Sequence, residues 1–344
     1  MIASARLGGF KILKDVVWIS LIQHEKDDHT PASLCHALAE QKINLPFITC
    51  NKDDRSWGVN FVVLSSDAHK VASLLQENAR GPCNPPTYGA ILSIFPHKSN
   101  PEVMASLLDV FDGQGVTPDA FANSNSAISV VLREEQVSGV AKALFQTFRF
   151  GAYRTPADWK LAQKGKEKLY KEVVASYQEK RPKVYGLEWQ DGLQRMQIML
   201  RRDNLGILGE IFRRLSQLGI VLNFLITSPS GGKNETILSF SLSQCQKREY
   251  QRIIEALPSG TVLNGLSPVA HFSMNGPHFG DRYGIASELF SALARAQVNL
   301  LGLSCSIASI TGLVPADQIL TSIQAIQNCF DVPSVTKRTD QGVV

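Results

Sequence analysis

Short apolar runs and amphipathic stretches alternate along this chain, and the alternation recurs four times. Each segment passes from an apolar run through a polar loop into apolar positions at helical spacing, then turns into a second apolar run. The four read VVWISLIQHEKDDHTPASLCHALAEQKINLPFITC, YGAILSIFPHKSNPEVMASLLDVFDGQGVTPDAFANS, RMQIMLRRDNLGILGEIFRRLSQLGIVLNFLITS and VAHFSMNGPHFGDRYGIASELFSALARAQVNLLGLSCS. The helix-to-strand turn falls at Ile43, Val116, Ile220 and Val298. The repetition predicts four small sheet-and-helix units in place of one large domain.

In the first unit, residues 16–23 read as a strand. Thr30-Pro31 predicts a helix start, threonine as the cap and proline in the first turn. Leu34, Leu38 and Ala39 supply its buried face. Residues 43–50 and 57–64 are further strands, a helix covers about 67–77, and ENARGPCNPP at 78–87 is a linker. In the second unit Asn100-Pro101 opens a helix, Gly113 and Gly115 end it, AISVVL is a strand, and a helix runs over about 135–147. Later helices are predicted at 206–218 and 284–296. Thr155-Pro156-Ala157-Asp158 has the form of a capping box and opens a helix to about Glu179. The units therefore span 10–80, 86–150, 191–260 and 266–332, with a helical connector at 151–190. Such units leave one sheet face and their strand edges uncovered, so side-by-side pairing is expected.

Composition narrows the classes. The chain has 344 residues, 44% hydrophobic and 19% charged, as in an ordinary globular protein. No apolar run is long enough for a membrane span, and the first residues lack a secretory pattern, so a cytoplasmic location is expected. Six scattered cysteines without a CxxC pair argue against zinc and against a disulfide framework. His24, His29 and His36 are irregularly spaced, and no metal is expected there. The net charge is +4, but residues 154–183 carry nine Lys or Arg against four Asp or Glu. Without interleaved aromatics this is read as a solvated helix face, not a nucleic-acid surface.

The third segment's DNLGILGEIF followed by LSQLGIVLNFLIT resembles the opening of an ACT domain. The fourth segment's GDRYGIASELFSALARAQVNLLGLSCSIASITGLVP resembles the second ACT motif of aspartokinase regulatory regions, with Ser304-Cys305-Ser306 as its Ser-x-Ser element. The resemblance implies an α+β fold of four tandem ferredoxin-like (βαββαβ) ACT units in two pairs, units one with two and three with four, joined by the connector. It covers residues from about 10 to 332 apart from that connector. The kinase opening of aspartokinases is absent. No GxxxxGK[ST] loop, GxSxG elbow, HExxH or paired catalytic carboxylates occur either. The expectation is therefore a non-enzymatic module without a kinase domain or cofactor. It would be an amino-acid-binding regulatory sensor of aspartate-family metabolism. The alternative is a non-catalytic subunit that binds a partner enzyme. Partners are expected to be a small-molecule amino acid or that enzyme, with no nucleic acid and no membrane, in a pseudo-dimeric monomer or a homodimer.

An amino acid presents a carboxylate, which a helix N-terminus attracts, and an ammonium, which Asp, Asn or a carbonyl accepts. The resemblance places the loop residues at Asp203, Asn204, Leu205 and Gly206, the facing strand position at Thr227, and the partner unit's contribution at Asn299, Leu300, Ser304 and Ser306. A plainer reading makes Asp203 a helix cap and Asn299 a turn residue. The glycine-rich loop with Gly280, Asp281 and Gly284 reads as a second, weaker cradle or as a flexible loop with a good cap. The first two units lack such residues, their loops reading EKDDHT and HKSN, and a purely structural role is expected for them.

Overall fold

Four equivalent backbone bonds mark the four predicted turns in the computed structural model of the chain. Ile43, Val116, Ile220 and Val298 each donate an N–H to the carbonyl five residues back, at 2.9 Å in every case. The residue before each has positive φ: Lys42 (56°), Gly115 (61°), Gly219 (69°) and Gln297 (54°). This is the left-handed helix stop that satisfies orphaned carbonyls.

The structure describes residues 6–24, 30–53, 56–78, 83–95, 100–124, 127–153, 155–163, 181–202, 206–232, 234–243, 255, 262–276, 279–280, 282–306 and 309–339. The chain is α+β. Its elements run β1 (Arg6–Leu7), β2 (Gly9–His24), α1 (Pro31–Glu40), β3 (Phe47–Asp53), β4 (Ser56–Leu64), α2 (Ala68–Asn78), β5 (Thr87–Phe95), α3 (Pro101–Gly113), β6 (Ala120–Asn123), β7 (Ile128–Arg133), α4 (Glu134–Thr147), β8 (Arg149–Phe150) and α5 (Pro156–Gln163). They continue β9 (Gly186–Arg201), α6 (Ile207–Gln217), β10 (Leu222–Pro229), β11 (Glu235–Ser243), β12 (Val262–Asn275), α7 (Ile285–Arg295), β13 (Gly302–Cys305), β14 (Ser309–Pro315), α8 (Ile319–Cys329) and β15 (Val335–Lys337). The expected helix starts carry their caps. The Thr30 side chain accepts from Ser33 N, and Asn100 from Glu102 N at 2.9 Å. Thr155 and Asp158 exchange side-chain-to-backbone bonds of 3.0 and 3.2 Å. Residues 164–180, the rest of the predicted connector helix, lie outside the described residues. At its start, Trp159 stacks on Phe10 with ring centroids 4.9 Å apart. Strand β3 begins at Phe47, later than position 43, because the helix stop and Pro46 occupy the intervening residues.

Thirteen strands form one mixed sheet in the order β11-β10-β6-β7-β5-β2-β4-β3-β13-β14-β12-β9-β15. Strand β11 also pairs with β9, so the sheet closes on itself. All its neighbours are antiparallel except β15 on β9. The sixteen-residue strands β2 and β9 span from one side of the flattened ring to the other. In β2 the crossing is marked by a register shift between Leu13 and Val16, with Asp15 at φ 56°.

The expected pairs are joined, segment one to segment two through β2 and β5 and segment three to segment four through β9 and β12, and two further seams that the sequence did not predict close the ring. Segment one joins segment four through β3 and β13, Asn51 facing Gly302 and Thr49 facing Ser304. Segment two joins segment three through β6 and β10, Asn123 facing Leu225. Helix α1 packs on α7 along the first seam, and α3 on α6 along the second. The physical reason is edge matching: β3, β6, β10 and β13 are the outer strands of their segments, and register and helix packing favour these partners. Local sequence carries no signal of which edge meets which.

Helices lie outside the ring and the two inner faces meet. One outer core gathers α3, α4 and α6 around Leu107, Leu144 and Phe212; the other gathers α1, α2, α7 and α8 around Leu38, Leu289 and Ile326. Inside, smaller apolar groups around Phe47 and Val62, and around Phe224 and Leu313, flank a polar belt. The faces approach closely at Gly58, where a Cβ would sit 2.8 Å from the Pro229 carbonyl oxygen and 3.0 Å from Ser228 Cβ. Gly58→Ala is therefore expected to cost ~1–3 kcal/mol through overpacking, read from the urea unfolding midpoint. An unchanged midpoint would mean that β4 and β10 are free to part. Among the described residues no helix is long and apolar enough to cross a membrane.

Candidate functional site

The polar belt is built from strand positions on the inner face. In β3 the outward Ile48 and Cys50 alternate with inward Thr49, Asn51 and Asp53; in β9 Met196 and Ile198 alternate with Arg195 and Gln197. Arg195 is 8% exposed and spans the two faces. One of its amino nitrogens donates to Asn51 Oδ1 at 2.9 Å and to the carbonyls of Lys52 at 2.5 Å and Leu301 at 3.2 Å. Its Nε donates to Ser239 Oγ at 3.2 Å. Burial pulls its pKa down to about 10, against the attraction of Asp53. Gln197 Nε2 donates to the same Asn51 oxygen at 3.2 Å.

Thr227, on β10, lies in this belt and is buried. Its carbonyl accepts from Thr49 Oγ1 and Asn60 Nδ2, both at 2.9 Å, and its hydroxyl oxygen accepts from Phe121 N at 2.8 Å. Ser304 is buried on β13 opposite Thr49, with no hydrogen-bond partner for Oγ among the described residues. Thr227 and Ser304 thus share Thr49 as a neighbour.

The other sequence-predicted residues separate. Gly206 occupies the N-cap position of α6, where a Cβ would meet Asp112 of α3 at 3.3 Å. Asn299 is exposed on the opposite seam: its N–H donates to Gln318 Oε1 at 2.7 Å, and its Oδ1 accepts from Lys52 Nζ at 2.9 Å. Leu300 is buried in the outer core beside that seam. Ser306 closes the β13–β14 hairpin, its N–H donating to the Ser309 carbonyl at 2.8 Å. Gly280 accepts a short hydrogen bond from Asn44 Nδ2, and Gly284 precedes α7 at φ 87°. Asp203, Asn204, Leu205 and Asp281 lie outside the described residues. The fold therefore brings Thr227 and Ser304 to one belt, and distributes Gly206 to the α3–α6 seam and Asn299, Gly280 and Gly284 to the α1–α7 seam.

Sequence reasoning did not single out Thr49, Asn51, Asn60, Arg195 or Gln197. Their alternation was present, but it does not distinguish a polar face turned to water from one turned to a second sheet. Cys35, Cys50 and Cys305 are buried beside the α1–α7 seam, and burial raises all three thiols, Cys305 to about 12. They are unreactive packing groups there. Cys83 is exposed.

No family model matches the sequence. The aspartokinase of Bacillus sp. (strain MGA3) is 22% identical over 161 residues, which is 46% of this chain and 39% of that protein. The crystal structure of aspartate kinase from Synechocystis superposes on 98% of this chain and 58% of its own, with a TM-score of 0.76 at 15% identity. The ligand-free regulatory subunit of aspartate kinase from Thermus thermophilus covers 43% of this chain and 99% of its own, at 21% identity and a TM-score of 0.36. The chain thus spans well under two thirds of the curated relative and of the Synechocystis structure. The likeness of nearly the whole chain to a crystal structure of aspartate kinase, over 58% of that structure, corrects three expectations: a region without a kinase domain, a protein that is not an enzyme, and a sensor or subunit with no catalytic part. Those expectations rested on missing short motifs, and such motifs do not report on a fold shared at this level of identity. What the likeness establishes is an α+β fold of the kind found in an aspartate kinase.

Proposed function

We propose that the chain works in an aspartate kinase, in phosphoryl transfer to aspartate, and that an amino acid bound at its seams governs that transfer. The observation that carries this reading is the superposition on the Synechocystis aspartate kinase over 98% of the chain. The four β-α-β-β segments are read as ACT units, the first paired with the fourth and the second with the third. Amino-acid binding is assigned to the two seams. Gly206, with Asp203, Asn204 and Leu205, serves one. Asn299 and Leu300, with Gly280, Asp281 and Gly284, serve the other, while Thr227, Ser304 and Ser306 lie on the inner strands between the two. A ligand favouring one seam packing over another shifts the population of the active form.

Aspartate-dependent release of ADP from ATP by the protein tests the first part. Its absence under all amino-acid conditions would sink the kinase reading. For the second, one of the twenty amino acids at millimolar concentration is expected to raise the melting temperature, since a ligand of the folded state stabilises it. Asn299→Ala is expected to reduce that rise. A rise preserved in full would remove Asn299 from the site.

A further inference from the structure

The two faces of the ring meet at two pairs of hairpins, and the pairs differ. The β6–β7 and β13–β14 hairpins are tied together by serines: Ser309 Oγ lies 2.7 Å from Ser124 Oγ and 3.1 Å from Ser306 Oγ. The β3–β4 and β10–β11 hairpins instead enclose a cavity of about 150 Å³. It is lined on one side by Ile22, Asn51, Asp53 and Gly58, and on the other by Ser230 and Ile237. It lies between the stacked sheets, away from both helix seams.

Asn51 lines this cavity and is 1% exposed. The amide's orientation is settled by chemistry. Arg195 can only donate, so the atom it meets at 2.9 Å is Oδ1, which also accepts from Gln197. That leaves Nδ2, a buried donor with no partner among the described residues. A buried donor left unpaired is costly, and it marks where an acceptor belongs. Two positions along the same face of β3, Asp53 also lines the cavity. Its carboxylate makes no side-chain hydrogen bond or ion pair among the described residues. Residues i and i+2 on one strand face stand about 6.7 Å apart. An α-amino acid with one hydrogen bond at each end spans that distance. Ile22 and Ile237 give its side chain apolar walls.

We propose that this cavity is a binding site for a small aliphatic α-amino acid. Its carboxylate accepts from Asn51 Nδ2 and its ammonium pairs with Asp53. The assignment is independent of the kinase reading and of the seam residues. Two substitutions isolate it. Asn51→Asp keeps an oxygen for Arg195 and Gln197 but replaces the free donor with a second acceptor that repels a carboxylate. Asp53→Asn removes the charge that holds the ammonium.

The test is calorimetric titration of the full chain with L-valine, L-alanine and glycine at neutral pH, with isobutylamine and isovalerate as half-ligands. Binding of at least one amino acid, and weaker or no binding of either half-ligand, is expected. Each substitution is expected to weaken binding by about tenfold or more, with circular dichroism confirming the fold. Three results would overturn the proposal: no probe binds at millimolar concentration, affinity is unchanged in both cavity variants, or binding is lost in Asn299→Ala while intact in Asn51→Asp. The last would place the ligand at the α1–α7 seam.

Discussion

Arg195→Ala is expected to lower the free energy of unfolding by ~3–5 kcal/mol. The side chain is the principal polar tie between the inner faces. It links β9 to Asn51 and Lys52 of segment one, to Leu301 of segment four and to Ser239 of β11. Truncation removes a charged donor from Asn51, Ser239 and the carbonyls of Lys52 and Leu301, and hydrogen bonds to a charged group are worth roughly 1.5–3 kcal/mol each. The Leu301 carbonyl keeps the Lys52 N–H at 2.9 Å, and the Lys52 carbonyl keeps Gln197 Nε2 at 3.4 Å. It also empties space between two packed sheets. Asn51 keeps one donor, Gln197, which limits the loss. Arg195→Lys should fall between, because an ammonium cannot reproduce the planar spread of the guanidinium. Urea denaturation with an unchanged slope is the measurement. A loss below ~1 kcal/mol would show that the belt does not hold the faces together.

Acid is expected to destabilise the protein through His271. This residue on β12 is fully buried, and neither ring nitrogen has a partner among the described residues. Burial lowers its pKa to about 3, helped by the positive charge of Arg338. An unfolded histidine titrates near ~6.5. Between those values the unfolded chain binds a proton that the folded chain refuses. Stability therefore rises with pH across this window and is lost as pH falls from about 6.5 toward 3. The slope approaches ~1.4 kcal/mol per pH unit, giving roughly 3 kcal/mol by pH 4. His271→Leu is expected to remove that component and leave stability at neutral pH equal or higher, since it also removes two unpaired buried nitrogens. The comparison is made on paired pH–stability curves, in which carboxylate contributions common to both proteins cancel. Parallel curves would show that His271 contributes no pH dependence to stability.

The elements were legible in the sequence because their signals are local. Thr30-Pro31, Asn100-Pro101 and the Thr155–Asp158 box each cap a helix where expected, and the four turns close with one geometry. The further seams, segment one with four and segment two with three, were not legible. Asn51 meets Gly302, and Asn123 meets Leu225, through strand edges whose sequences are apolar and interchangeable in type. For the same reason the candidate residues were drawn as one group, although Gly206 and Asn299 belong to different seams. Arg195 and Asn51 stayed hidden because a charged strand residue is usually solvated. Only the second sheet explains their burial.

Joining the first segment to the fourth has a cost in time. The edge of β3 is synthesised early, but its partner β13 lies about 250 residues later. At ~5–20 residues per second on the ribosome, that edge stands unpaired for roughly 12–50 s. An open apolar edge is a template for pairing with foreign chains. The nascent protein is therefore expected to be more open to mispairing during that interval than after β13 has docked.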